Sequence, residues 1–249
     1  MSNVRTVSDT KRQFYKLHSR PISSIYRRIV EELIVEMHLL SVNVDFSYDA
    51  IYALGIMTTF ERFMQGYRPE KDKESIFQAL CRSIESDPQQ YRNDAEQLKA
   101  EVSQLTKESM LSILSLADDS QEGTLKSLVR HISEADSFKY SRLFGIGLYT
   151  LLETIDADLV ADKEQREGVL ETLASNLPLP EDKLLKDAEN YQLNLEKMTQ
   201  AQAVLNDMLQ ADRKKRDERE AQKAASETES AESKDTESES PEVSPPPES

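Results

Sequence analysis

The chain has 249 residues, 38% of them hydrophobic and 31% charged, and a formal net charge of −15. It is long enough to bury a proper core as one large domain or two small ones, and its charged share exceeds the roughly 25% of an ordinary globular protein, so much of it is solvated. The acidic balance excludes a nucleic-acid binder, because net repulsion opposes the phosphate contacts that supply most of that affinity, and the single cysteine, Cys81, excludes an intrachain disulfide.

A lone cysteine also fits a reducing compartment. Residues 1–20 lack the apolar core of a signal peptide, and the early Asp9 does not suit a transit peptide. The longest nearly uncharged apolar stretch, Leu143 to Leu152, is far short of the ~20 residues of a membrane helix. Any membrane association is therefore expected to be peripheral. With only 6 glycines and 9 prolines, the chain has room for long helices.

Residues 1–7 read as a flexible lead. Ser8 or Asp9 can cap a short helix carrying Phe14, Tyr15 and Leu17. Pro21 suits the first turn of a second helix, in which Ile22, Ile25, Ile29, Leu33, Met37 and Leu40 form one apolar stripe. On its other side Arg27–Glu31 and Arg28–Glu32 are paired one turn apart. Asp49 can cap a third helix through Ile51, Leu54, Phe60 and Met64, with Gly66 and Pro69 as stop signals. A fourth carries Ile76, Phe77, Leu80, Cys81 and Ile84 on one face. Asp87-Pro88 opens a longer helix with Tyr91, Ala95, Leu98, Val102 and Leu105, running toward Leu116. The run from Asp118 to Gly123 breaks it. Shorter helices are expected around Leu125–Ile132, Tyr140–Ile155 and Arg166–Leu177.

Pro178 and Pro180 mark the clearest boundary. Beyond them Leu184, Ala188, Tyr191, Leu195, Met198, Gln202, Leu205 and Leu209 alternate spacings of four and three, a coiled-coil seam with one polar interruption. Residues 226–249 are Ser, Glu, Thr and Pro with almost nothing apolar, too little to offset the entropy of ordering. No stretch alternates with period two. The expectation is an all-α protein: a multi-helix body over 8–178, a long helical arm over 182–220 and a disordered acidic tail over 226–249.

The chemical inventory is thin. The three histidines are far apart in sequence, in no metalloprotease or deaminase spacing, and one cysteine cannot build a zinc site. His18 reads as a capping or partner-contacting residue, His38 as buried or at an edge, His131 as surface. Cys81 lies on an apolar face, where an inert thiol is the default. Gly145-Ile146-Gly147 lacks the third glycine and the strand of a dinucleotide fingerprint; small residues that let helices approach explain it better. No catalytic residue, metal site or cofactor is expected. Residues 1–30 hold seven bases and one acid, a charge of +6 on an acidic protein. Such an end can meet an anionic surface, although the simpler expectation is pairing with glutamates of the same helices. Arg20, Tyr26, Arg27, Arg28, Arg62, Tyr67 and Arg68 are the candidate partner-binding residues, since aromatics and arginine in company suit an interface.

Three strings carry a resemblance: His18-Ser-Arg-Pro-Ile-Ser-Ser-Ile-Tyr-Arg-Arg28 with Glu31-Glu-Leu33 and Glu36-Met-His-Leu-Leu-Ser-Val-Asn43; Asp45-Phe46 with Tyr48-Asp49 and Ile51-Tyr-Ala-Leu-Gly55; and Phe60-Glu-Arg-Phe-Met-Gln-Gly-Tyr-Arg-Pro69. Together they resemble the thylakoid formation protein family, also called photosystem II biogenesis protein, over about residues 7–215. The resemblance implies an all-helical protein at the thylakoid membrane surface, of cyanobacterial type and facing the cytoplasm. It implies association with FtsH-type membrane protease subunits and their stabilisation, support of photosystem II biogenesis and repair, and contact with photosystem II components. It carries no catalytic motif. The alternative is a membrane-organising protein that binds anionic thylakoid lipid through its basic N-terminal segment.

Overall fold

The structure, a computed structural model, describes residues 5–117 and 122–235, without the side chains of 205, 206 and 221–235. Among the described residues there are eleven helices and no strand. The chain divides into two compact units, Met1–Lys197 and Met198–Ser249.

The centre of the first unit is the pair α3 (Ala50–Phe63) and α8 (Arg142–Ile155). Every residue from Ile51 to Phe60 and from Leu143 to Leu152 is buried. Both helices are therefore apolar all round, as interior helices must be. The apolar run too short to cross a membrane is thus the middle of the core. Each helix is capped by the residue before it: Asp49 accepts from Tyr52 N at 2.7 Å, and Ser141 accepts from Phe144 N at 3.1 Å.

The two helices touch backbone to backbone. A Cβ added to Gly55 would lie 1.7 Å from the Leu143 carbonyl oxygen, and one added to Gly147 would lie 2.0 Å from that of Ile51. A Cβ on Gly55 would also lie 3.0 Å from Gly147 N, and Arg62 near the end of α3 bonds Glu153 near the end of α8. The two helices therefore run parallel, each glycine resting on the carbonyl four residues before the other. Gly147 does what the small-residue reading required. Its counterpart Gly55 carries no signal of its own in the sequence.

The other helices pack around this pair. The helix α5 (Pro88–Val102) covers α3 through Tyr91, whose ring meets Tyr48 at 5.1 Å and Tyr52 at 6.2 Å. The short α1 (Val7–Leu17) lies on α2 (Ser24–Ser41) and α4 (Lys71–Ser83). Glu101 of α5 accepts from the backbone N–H groups of Thr124 and Leu125, both at 3.0 Å, and so caps α7 (Thr124–Glu134), which has only Gly123 at its own cap position. The helices α9 (Ala157–Ala161) and α10 (Lys163–Asn176) start on Asp156 and Asp162.

Several boundaries differ from the sequence reading. α1 starts a turn early, because Thr6 and Asp9 form a reciprocal capping box. Pro21 lies outside α2, whose cap position is Ser23. The buried face of α2 is Tyr26, Val30, Leu33, Ile34, Met37, His38 and Leu40, while Ile25 is exposed; the stripe is turned by about one residue because Tyr26 docks on Tyr67. The long helix toward Leu116 is two helices, since Thr106 caps a separate α6 (Lys107–Leu114) by accepting from Ser109 N at 3.1 Å. The last helix, α11 (Glu181–Asp235), begins in the first unit, where Leu184, Ala188 and Tyr191 are buried. The first part of the seam is thus body core. In the second unit the seam residue Leu209 is exposed. α11 continues to Asp235, into the segment expected to be without structure; 236–249 lie outside the described residues, as does most of the expected break at 118–123.

The Gly55–Leu143 and Gly147–Ile51 contacts leave no room for a methyl group. Gly55→Ala or Gly147→Ala should lower the free energy of unfolding in urea by about 3 kcal/mol or more. Gly168→Ala, at an exposed α10 position with nothing within 4 Å, should raise it by about 0.5–1 kcal/mol.

Candidate partner-binding surface

The seven candidate residues fall into three groups. Tyr26, Tyr67 and Arg20 come together where α2 begins and α3 ends. The Tyr26 hydroxyl donates to the Gln65 carbonyl at 3.1 Å, and its ring meets Tyr67 edge-on at 5.1 Å. Gly66, at φ +77°, makes the turn that brings Tyr67 back beneath α2. Both tyrosines are buried. Arg20 lies 2.8 Å from the carboxylate of Asp72, a buried residue in the first turn of α4. Burial pushes the Tyr67 phenol up, with Asp72 adding to the shift and Arg20 opposing it. Tyr26 and Tyr67 are therefore interior residues that shape this end of the body, out of a partner's direct reach. Their aromatic character, read as an interface signal, serves the core.

Arg62 belongs to the second group. It forks onto Glu153 of α8, with Nη1 donating to Oε1 at 3.1 Å and Nη2 to Oε2. Burial opposes its charge and the Glu153 carboxylate favours it, and the Tyr191 ring of α11 packs on Tyr149 at 5.3 Å and Phe63 at 6.0 Å. A planar fork held by a carboxylate in a half-buried site is a tie between helices.

Arg27, Arg28 and Arg68 form the third group, and all are exposed. Their surroundings carry both signs. Of the seven bases in residues 1–30, five are in ion pairs: Arg5–Glu85, Lys11–Glu31, Arg12–Asp9, Arg20–Asp72 and Arg28–Glu32. Only one of the two pairs expected along α2 forms, because Lys11 and Tyr15 of α1 take Glu31. Beside Arg27 and Arg28 runs an open groove of about 990 Å³, whose lining includes Glu32, Glu36, Leu39 and Arg142. At its floor Glu36 accepts from Arg142 Nε at 3.1 Å, Arg142 Nη2 at 2.7 Å and Leu143 N at 3.3 Å. Burial pushes the Glu36 carboxyl up, against the pull of Arg142. The groove is thus closely charge-matched, which suits contact with a protein of mixed charge better than contact with a uniformly anionic surface.

Neither Glu36–Arg142 nor the neighbouring Tyr140–Asp187 bond of 3.0 Å was visible as a pair in the sequence. They join helices distant in the chain, and no local spacing announces such a pair.

Of the three histidines and the cysteine, His18, His38 and Cys81 are taken into the fold. His18 shares a 3.0 Å hydrogen bond with Ser75, His38 shares one of 2.8 Å with Thr10, and both imidazoles are buried. For His18 this replaces the partner-contacting reading. His131 is exposed. The Cys81 thiol is buried and pushed up to about 12, which leaves no thiolate at neutral pH. Among the described residues no group of three or more His, Cys, Asp or Glu side chains could hold a metal ion, and no helix is long and apolar enough to cross a membrane.

A double-mutant cycle separates ties from surface pairs. Unfolding measurements on Arg62→Ala, Glu153→Ala and their combination should give a coupling of about 1–2 kcal/mol. The same cycle on Arg28 and Glu32 should give about 0.5 kcal/mol or less.

Comparison with known proteins places this arrangement. The profile described as "Thylakoid formation protein" matches residues 6–220. The protein Thf1 of Trichormus variabilis is 60% identical over 217 residues, covering 87% of this chain and 93% of that protein. Thf1 of Gloeothece citriformis is 55% identical over 219 residues, covering 87% and 96%. A solved structure of Psb29 superimposes with a TM-score of 0.75 at 42% identity, covering 85% of this chain and 98% of that one. On this evidence the chain belongs to the thylakoid formation protein family.

Proposed function

We propose that the chain is a non-enzymatic auxiliary factor that associates with the FtsH-type protease on the cytoplasmic face of the thylakoid membrane and stabilises it, supporting photosystem II biogenesis and repair. The observation that carries the non-enzymatic part is the internal use of the reactive groups. Two of the three histidines are held by hydroxyls inside the body, and the only cysteine is buried and protonated. Membership of a thylakoid formation family supports the setting.

The mechanism needs no chemistry. A protein that binds the assembled protease and not its separated subunits stabilises the assembly by mass action, by about 2.7 kcal/mol when present at a hundred times its dissociation constant. Arg27, Arg28 and Arg68 are the exposed members of the candidate set in the first unit, and Arg27 and Arg28 line the groove of mixed charge. In the second unit α11 exposes Val204, Met208 and Leu209 within the region the family shares. Contact with photosystem II components would follow from the same placement. Binding to anionic lipid through the basic segment is the weaker reading, since five of its seven bases are already paired.

Deleting the gene and following FtsH abundance and recovery from strong light tests the proposal. FtsH should fall several-fold and recovery should slow, with both restored by the wild-type gene. Unchanged FtsH and unchanged recovery contradict it. Flotation of the purified chain with anionic vesicles, in the absence of protease, should show little binding; salt-sensitive binding lost in R27E/R28E would instead support the lipid reading.

A further inference from the structure

Helix α1 packs on both α2 and α4, and two of its attachments are of one unusual kind. Its only buried residues are Thr10 and Phe14, followed by His18 at its C-terminal cap. Phe14 supplies the apolar anchor. On one side of it the Thr10 hydroxyl and His38 Nδ1 of α2 share a hydrogen bond of 2.8 Å; on the other, His18 Nδ1 and the Ser75 hydroxyl of α4 share one of 3.0 Å. Each attachment therefore joins a buried imidazole to a neutral hydroxyl, across the α1–α2 contact in one case and the α1–α4 contact in the other. Neither imidazole has a carboxylate as its hydrogen-bond partner, and His18 Nε2 has no hydrogen-bond partner.

We infer that α1 is a strap which mild acid releases from α2 and α4, with His18 and His38 as its two proton-sensitive catches. A proton on either imidazole places a charge in a site that offers it only a neutral hydroxyl, and in the His18 cation the buried Nε2–H has no acceptor. The surrounding charges do not relieve this. Near His38, Arg5 opposes a proton and Asp9 favours it; near His18, Asp72 favours one and Arg20 opposes it, while Arg20 itself sits 2.8 Å from Asp72. Tyr67, beside the same Asp72, stays protonated throughout this range because burial pushes its phenol up. Burial is the largest influence on both histidines and holds each below the usual imidazole range.

The sign follows from proton counting. The docked strap binds fewer protons than the released one, so docking weakens as pH falls below about 6.5 and stops weakening once the docked imidazoles also protonate. If both rings stay neutral while docked, release at pH 5.5 is favoured by up to about tenfold per histidine, or about a hundredfold together. The outer contacts of the strap do not share this window. Glu31, which holds Lys11 and Tyr15, and Asp9 are both kept below their ordinary carboxylate range and remain ionised there. The Arg5–Glu85 pair is solvent-facing and adds little at any pH.

Hydrogen exchange of the full chain, followed by mass spectrometry at pH 7.5 and 5.5 and scaled for the intrinsic rate, reads the opening directly. Peptides spanning 7–17 should lose protection by tenfold to a hundredfold at the lower pH, while those of α3 and α8 hold theirs. In H18Q/H38Q the pH dependence of α1 should vanish. Equal pH dependence in wild type and the double variant, or a loss shared equally by α3 and α8, overturns the inference. Should the double variant not dock α1 at neutral pH, the wild-type imidazole resonances decide: titration of His18 and His38 below 6.5 supports the strap, and titration at or above 6.5 refutes it.

Discussion

The crossing of α3 and α8 at Gly55 and Gly147 is the constraint on which the rest of the body depends. Two helices that are apolar on every side must be enclosed completely, and backbone contact at two glycines leaves their relative position little freedom. Once that pair is set, the remaining helices are the covering layer. The stacked tyrosines 48, 52 and 91 seat α5, the Arg62–Glu153 fork ties α3 to α8, and the first turns of α11 close over α8 with Leu184 lying 3.5 Å from where a Gly145 side chain would begin. The polar ties sit at the rim of this core, where half-burial strengthens them without the full penalty of desolvation.

Much of this was legible where one residue decides a local event. Asp49 and Asp87-Pro88 cap the helices they were expected to cap, the face of α4 is the predicted one, and Gly147 marks a close approach. What stayed hidden depends on a neighbour. The stripe on α2 can be read two ways at helical spacing, and only the docking of Tyr26 on Tyr67 selects one. The seam after Pro180 has the spacing of a coiled coil, but its first half meets its own body, because a stripe of Leu, Ala and Tyr suits either partner. The break between α5 and α6 rests on one threonine hydroxyl within an unbroken apolar pattern.

The candidate surface was legible in part. Sequence reasoning selected arginines and tyrosines as a group, and burial divides them. Tyr26, Tyr67 and Arg62 build the end of the body that carries Arg27, Arg28 and Arg68. The basic N-terminal segment, which as a string of charges suggested an anionic surface, is largely neutralised by acids of α1, α2 and α4. What remains is a helical body with a groove of mixed charge beside Arg27 and Arg28, and with His18, His38 and Cys81 taken into its packing.

Affinity capture from detergent-solubilised thylakoids tests this account most directly. The full chain and a chain ending at Lys197, which keeps the buried turns of α11, should be used side by side with quantitative mass spectrometry. The account predicts FtsH subunits enriched with the full chain above every other membrane protein. Capture in which FtsH subunits are no more abundant than in a control without bait contradicts it.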